Sequence, residues 1–121
     1  MMAKLERSPQ PARMEAVSRD ALVQAALQEI NQNYREASLS NVARAYGVSL
    51  AYVSECVRAQ TGRTYKELLQ KHRMETAARL LRRSDLNIQQ IIAQVGYENT
   101  SYFYRLFHER YGLSPREYRQ V

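Results

Sequence analysis

From about residue 19 onward, apolar residues recur at steps of three and four, and no segment alternates with the period of two that marks a strand. Val23, Leu27, Ile30 and Tyr34 form the first stripe and predict a helix from about Arg19 to Asn33. Ser38 is placed to cap a short second helix that turns Leu39, Val42 and Ala43 inward. Tyr46-Gly47-Val48 breaks the pattern, with Gly47 suited to a left-handed backbone. Ser49 then caps a third helix, which buries Val53, Cys56 and Val57 and ends at Thr61-Gly62.

Thr64 and Glu67 fit a capping box opening a long fourth helix through about Arg83, with Tyr65, Leu68, Leu69, Met74, Ala77, Leu80 and Leu81 among its apolar positions. Asn87 with Gln90 opens a short fifth helix carrying Ile88, Ile91 and Ile92, and Gly96 ends it. Asn99 caps a sixth helix that turns Phe103, Leu106, Phe107 and Tyr111 inward and stops at Gly112. Ser114-Pro115-Arg116-Glu117 sets an N-cap, a proline at the first helical position and a Glu at the third before a last short helix with Tyr118. The expected fold is all-α, with seven helices forming two helix-turn-helix units joined by a long linker helix. The expected domain covers 18–121: a first helix-turn-helix unit over 18–62, the linker helix over 64–83 and a second unit over 86–121. Residues 1–17, with two prolines and no sustained apolar period, read as a linker, a cloning remnant or the tail of an upstream domain.

The chain nearly repeats itself. LSNVARAYGVS (39–49) corresponds to IQQIIAQVGYE (88–98), with Leu39, Val42 and Gly47 matching Ile88, Ile91 and Gly96. One extra residue enters the second copy. Val53, Cys56, Val57, Gly62, Thr64 and Glu67 then match Phe103, Leu106, Phe107, Gly112, Ser114 and Glu117. Each copy reads as a short helix, a Gly turn, a longer helix, a Gly stop and a capped helix. A short helix braced against a second amphipathic one through a Gly turn is the helix-turn-helix unit, whose second helix enters the DNA major groove. A helical bundle with a chance repeat is the competing reading, and two copies in phase weigh against it. A linker helix of roughly 19 residues spans about 28 Å, which suits two readers in successive major grooves about 34 Å apart.

Composition narrows the partner. Eighteen Lys and Arg stand against twelve Asp and Glu, a net charge of +6, with a pI near 9.7. Basic side chains displace the counterions condensed on nucleic-acid phosphates, so this balance favours a polyanion. One cysteine, Cys56, allows no intrachain disulfide, and with two histidines it is too little for a structural zinc site. No apolar run reaches the roughly 20 residues of a membrane helix. No Gly-rich phosphate loop, metal-ligand spacing or nucleophile with its base is present, so neither an enzyme nor a cofactor is expected.

Two further stretches carry a family resemblance. RMETAARLL (73–81) resembles the linker-helix pattern Arg-Leu-x-x-Ala-x-x-Leu-Leu of the AraC/XylS-type transcription regulators, with Met74 in the Leu place. VGYENTSYFYRLFHERYGLSPREYR (95–119) resembles their C-terminal signature nearly end to end. The resemblance covers about residues 19–120. It implies a seven-helix DNA-binding domain whose third and sixth helices read double-stranded DNA and whose C-terminal unit faces RNA polymerase or the −35 region of the promoter. It also implies a cytoplasmic, nucleoid-associated activator whose effector ligand binds a sensing domain outside this sequence. Two places depart from the pattern. The third helix has Ser54-Glu55-Cys56-Val57 where Ser-Arg-Leu-Phe is commonest, with Leu50 and Ala51 at its start, and Ile92 replaces a small Ala in the fifth.

On the sixth helix Asn99, Thr100, Ser101, Tyr104 and Arg105 are the DNA-contact candidates. Arg105 suits guanine O6 and N7, worth about 1–3 kcal/mol of discrimination, or an ion pair with Glu109 worth at most about 0.5 kcal/mol. Thr100 and Ser101 suit base, phosphate or capping contacts, and Tyr104 a sugar or a thymine methyl. On the third helix the candidates are Ser49, Ala51, Tyr52, Ser54, Glu55 and Arg58. Ser49 anchors phosphate beside free helix N–H groups, and Glu55 accepts from cytosine N4 or pairs with Arg58. The alternative function is a helical protein-interaction domain with a basic surface. RNA binding lacks its usual stacking sheet or Gly loop.

Overall fold

A computed structural model describes residues 17–121, so apart from Val17 the linker reading of 1–17 lies outside the described residues. The described residues form seven helices and no strand: α1 Arg19–Asn33, α2 Leu39–Tyr46, α3 Leu50–Thr61, α4 Tyr65–Arg83, α5 Ile88–Gln94, α6 Thr100–Tyr111 and α7 Pro115–Gln120. Their starts follow local side-chain chemistry. Ser38, Ser49 and Asn99 each accept a hydrogen bond from a backbone N–H in the first turn of α2, α3 and α6. Asn87 with Gln90, and Ser114 with Glu117, close reciprocal capping boxes on α5 and α7. Gly47, Gly62 and Gly112 end α2, α3 and α6 in the left-handed conformation.

The chain packs as two compact units, 17–32 with 37–65, and 33–36 with 66–121. In the first, α1 contributes Leu22, Val23, Ala26 and Ile30, α2 contributes Leu39, Val42 and Ala43, and α3 contributes Val53, Cys56 and Val57 to a core of small aliphatic side chains. Leu27, which the periodicity puts on the inner stripe of α1, is only half-buried, and Leu22 and Ala26 lie inside instead. The buried stripe of α1 is therefore rotated by part of a turn, because the packing surface of α2 and α3 selects which side of the helix faces in.

The second unit is built on larger residues. Met74, Ala77, Ala78 and Leu81 of α4 meet Ile91, Ile92, Val95, Phe103 and Phe107. Phe107 is ringed by Phe103, Tyr111 and Tyr118 at centroid distances of 5.8, 4.7 and 5.4 Å. Two arginines tie loops to α4. The Arg73 guanidinium donates to the carbonyls of Tyr34 at 2.9 Å and Arg35 at 3.2 Å and lies over the Tyr97 ring. Arg119 donates to the carbonyls of Leu81 and Ser84, satisfying acceptors that the C-terminal end of α4 leaves open. Beside Arg73, Gly96 has a φ of 103°, and a Cβ there would stand 2.6 Å from the Arg35 carbonyl oxygen.

Candidate nucleic-acid interface

Each unit offers one exposed helix face, and the internal repeat determines its composition. In α3 the buried positions are Val53, Cys56 and Val57, which leaves Ala51, Ser54, Glu55 and Arg58 on the outer side, all exposed. In α6 the matching buried positions are Phe103 and Phe107, and the outer side carries Ser101, Tyr104, Arg105 and His108. Ala51 thus corresponds to Ser101, Ser54 to Tyr104, Glu55 to Arg105 and Arg58 to His108. Both helices begin with a side-chain cap and leave backbone N–H groups of the first turn open, a natural seat for a phosphate oxygen.

The α3 face combines the expected Ser49 cap with one partner that sequence reasoning missed, Arg19. The Ser49 hydroxyl accepts from the Tyr52 N–H at 3.0 Å. Tyr52 is exposed, and the guanidinium of Arg19 lies 5.9 Å from its ring centre. A hydrogen bond with the Tyr52 side chain pushes the Arg19 pKa further up, so a permanent positive charge is held at this edge of α3. Tyr46 and Leu50 are also exposed. Leu50, at the first position of α3, keeps 50% of its surface open. Glu55 makes no ion pair with Arg58 among the described residues.

On α6, the Asn99 side chain accepts from the Tyr102 N–H at 2.9 Å and is engaged in capping. Thr100 is half-buried, and its hydroxyl donates to Gln89 Oε1 of α5 at 3.4 Å. Ser101 and Arg105 are exposed, while Tyr104 is half-buried against Phe103. The Arg105 guanidinium lies 5.1 Å above the Tyr102 ring, not against Glu109. The Tyr102 hydroxyl accepts from Gln70 of α4 at 2.9 Å, so the platform under Arg105 is itself anchored. Tyr102 precedes Arg105 by three residues, one helical turn, and that spacing was the available signal. Leu106, expected to face the core, is half-buried and packs against it, beside a surface cleft lined by Gln70, Met74, Glu109 and Arg110. The structure thus gathers the candidates into two separate sets, Ser49 to Arg58 on α3 and Asn99 to Arg105 on α6. Among the described residues no cluster of His, Cys, Asp and Glu could hold a metal ion, and no helix is long and apolar enough to cross a membrane.

Comparison with known proteins adds to this geometry. Residues 42–121 match a family described as a helix-turn-helix domain. The chain is 37% identical over 93 residues to the transcriptional activator NphR of Rhodococcus sp, a match covering 75% of this chain and 28% of NphR. It spans only 26–32% of the length of the curated relatives NphR, PerA and the xylose operon regulatory protein. Among solved structures, the C-terminal domain of AraT, a response regulator of Geobacillus stearothermophilus, aligns with a TM-score of 0.76 at 36% identity, covering 82% of this chain and 84% of that one. The DNA-binding domain of AdpA, solved with a target DNA, shares the fold at a TM-score of 0.72 and 21% identity, covering 82% of this chain and 89% of that one.

Proposed function

The chain belongs to the AraC-type helix-turn-helix family of DNA-binding transcription regulators, and from that membership we propose that it binds duplex DNA selectively by laying α3 and α6 in successive major grooves. The observation that carries this reading is the pair of matching outer faces, Ala51-Ser54-Glu55-Arg58 and Ser101-Tyr104-Arg105-His108, each borne by a capped helix braced by a shorter one. In this reading Ser49, with the first-turn N–H groups of α3, and Arg58 hold phosphates. Ala51, Ser54, Glu55, Tyr104 and Arg105 meet base edges. Tyr52, Asn99, Thr100 and Ser101 position the helix ends. The net charge of +6 supplies the sequence-independent part of the attraction.

The regulator that carries this module activates transcription in a bacterial cytoplasm, at the nucleoid, and meets RNA polymerase through its second unit. Its effector ligand acts through another domain. The activator named among the relatives supports the direction of regulation. The test is selection of bound duplexes from a random library, followed by titration of the winner and of random duplex at two salt concentrations. An enriched site with two blocks about one helical turn apart is the expected result. Equal affinity for selected and random duplex at the same salt overturns the proposal.

A further inference from the structure

Of the exposed positions, Glu55 is the one that a basic DNA-binding surface explains least. A carboxylate is repelled by phosphates, so it gains nothing from general attraction to the duplex. Its only charged neighbour shown among the described residues is the Arg19 guanidinium, which attracts it without a close ion pair, and it stands on the outer face of α3 at the position matching Arg105 of α6. The two side chains have opposite hydrogen-bonding character. A guanidinium offers only donors, and an ionised carboxylate offers only acceptors. In the major groove guanine presents two acceptors, cytosine presents the N4 amino donor, and thymine presents its C5 methyl group.

Toward its N-terminus the same helix carries exposed apolar surface. Leu50 is half exposed at the first helical position, and Ala51 follows it on the outer side. The first residues of a recognition helix are the ones that reach base edges. Tyr52 is engaged by Arg19, while Leu50 and Ala51 are exposed.

We infer that α3 reads its half of the site by accepting a hydrogen bond and packing against methyl groups, where α6 reads by donating. Glu55 accepts from the N4 amino group of a cytosine, and Leu50 with Ala51 covers the C5 methyl of a neighbouring thymine. The inference rests on the reading that α3 lies in a major groove.

The probe is the duplex that the 121-residue chain itself enriches from a random library, with the α3 block identified by protection footprinting. Replacing its thymine by uracil, which removes only the methyl group, lowers the affinity of the wild-type chain about fourfold. The same replacement costs Leu50→Ala, which keeps only Ala51 against the methyl, less than it costs the wild type. Glu55→Arg moves the preferred base at one position from cytosine to guanine, with a change in preference of roughly five- to a hundredfold. Glu55→Ala binds random duplex more tightly than the wild type yet discriminates less. Equal affinity for thymine and uracil probes together with an unchanged base preference in Glu55→Arg overturns the inference. If Arg105→Ala still abolishes selectivity in the other block, DNA reading itself survives that result. An equal tightening of Glu55→Ala on selected and random duplex also overturns it, since the carboxylate then acts by repulsion alone. If neither block is enriched, the major-groove reading falls and this inference with it.

Discussion

At the scale of single residues, three glycines of similar backbone carry unequal burdens. Gly62 and Gly112 have φ of 77° and 73° with open space where a Cβ would point, whereas at Gly96 the Arg35 carbonyl blocks it. Gly112→Ala should cost about 1–2 kcal/mol, the strain of a left-handed non-glycine residue. Gly96→Ala adds a steric conflict that dislodges the Arg35 carbonyl from Arg73, so its loss in urea unfolding should exceed that of Gly112→Ala by at least about 1 kcal/mol. His72 makes a prediction of a different kind. Partial burial, with its ring 5.3 Å from that of Tyr34, holds its pKa below the ordinary 6.5. The unfolded chain therefore takes up this proton first as pH falls. The His72 contribution is complete above pH 6.5 and declines as pH drops through the lowered folded value. Glu117, held low by its capping hydrogen bonds with Ser114, acts with the same sign but only below its ordinary 4.5. Thermal unfolding between pH 5 and 7 should show a decline in Tm toward acid that His72→Gln reduces.

At the scale of the helix, α6 has one face that holds the second unit together and another that faces outward. Phe107 touches three other aromatic rings in the core, so Phe107→Ala should destabilise by about 3–5 kcal/mol and erase the near-ultraviolet circular dichroism of that cluster. Arg105→Ala, about half a turn away on the exposed side, should leave both signals intact. How much of this was readable from sequence depended on how far the deciding interaction reaches along the chain. The caps at Ser38, Ser49, Asn87, Asn99 and Ser114 act within three residues, so the helix starts followed from local pattern alone. The outer faces of α3 and α6 were readable because the repeat marked their inner positions twice. Leu27 lies further out than expected because three- and four-residue spacing defines a stripe but not its rotation, which the neighbouring helices choose. The Tyr102 platform under Arg105 and the Arg19 contact with Tyr52 depend on side-chain rotamers, and the second also on a contact between α1 and α3. Apolar periodicity does not register either.

At the scale of the whole molecule, the two units differ in what fills them. The first is packed mostly with valine, alanine, leucine and isoleucine side chains, with Cys56 and one buried ring, Tyr65, the second around Phe103, Phe107 and Met74. Burial stabilises roughly in proportion to apolar area, so the smaller side chains of the first unit predict that it opens at lower denaturant concentration. Cys56 lies in that first core with 1% of its surface exposed, and it is the sole cysteine of the chain. A thiol shut away to this degree reacts with an alkylating reagent only while the structure around it is open. Iodoacetamide should therefore label Cys56 in rising urea before the aromatic dichroism of the second unit fades, and coincident transitions would mean that the units unfold as one. The unmutated protein thus carries its own stopwatch, wound into one half and silent about the other, that times how often the first unit comes undone in water.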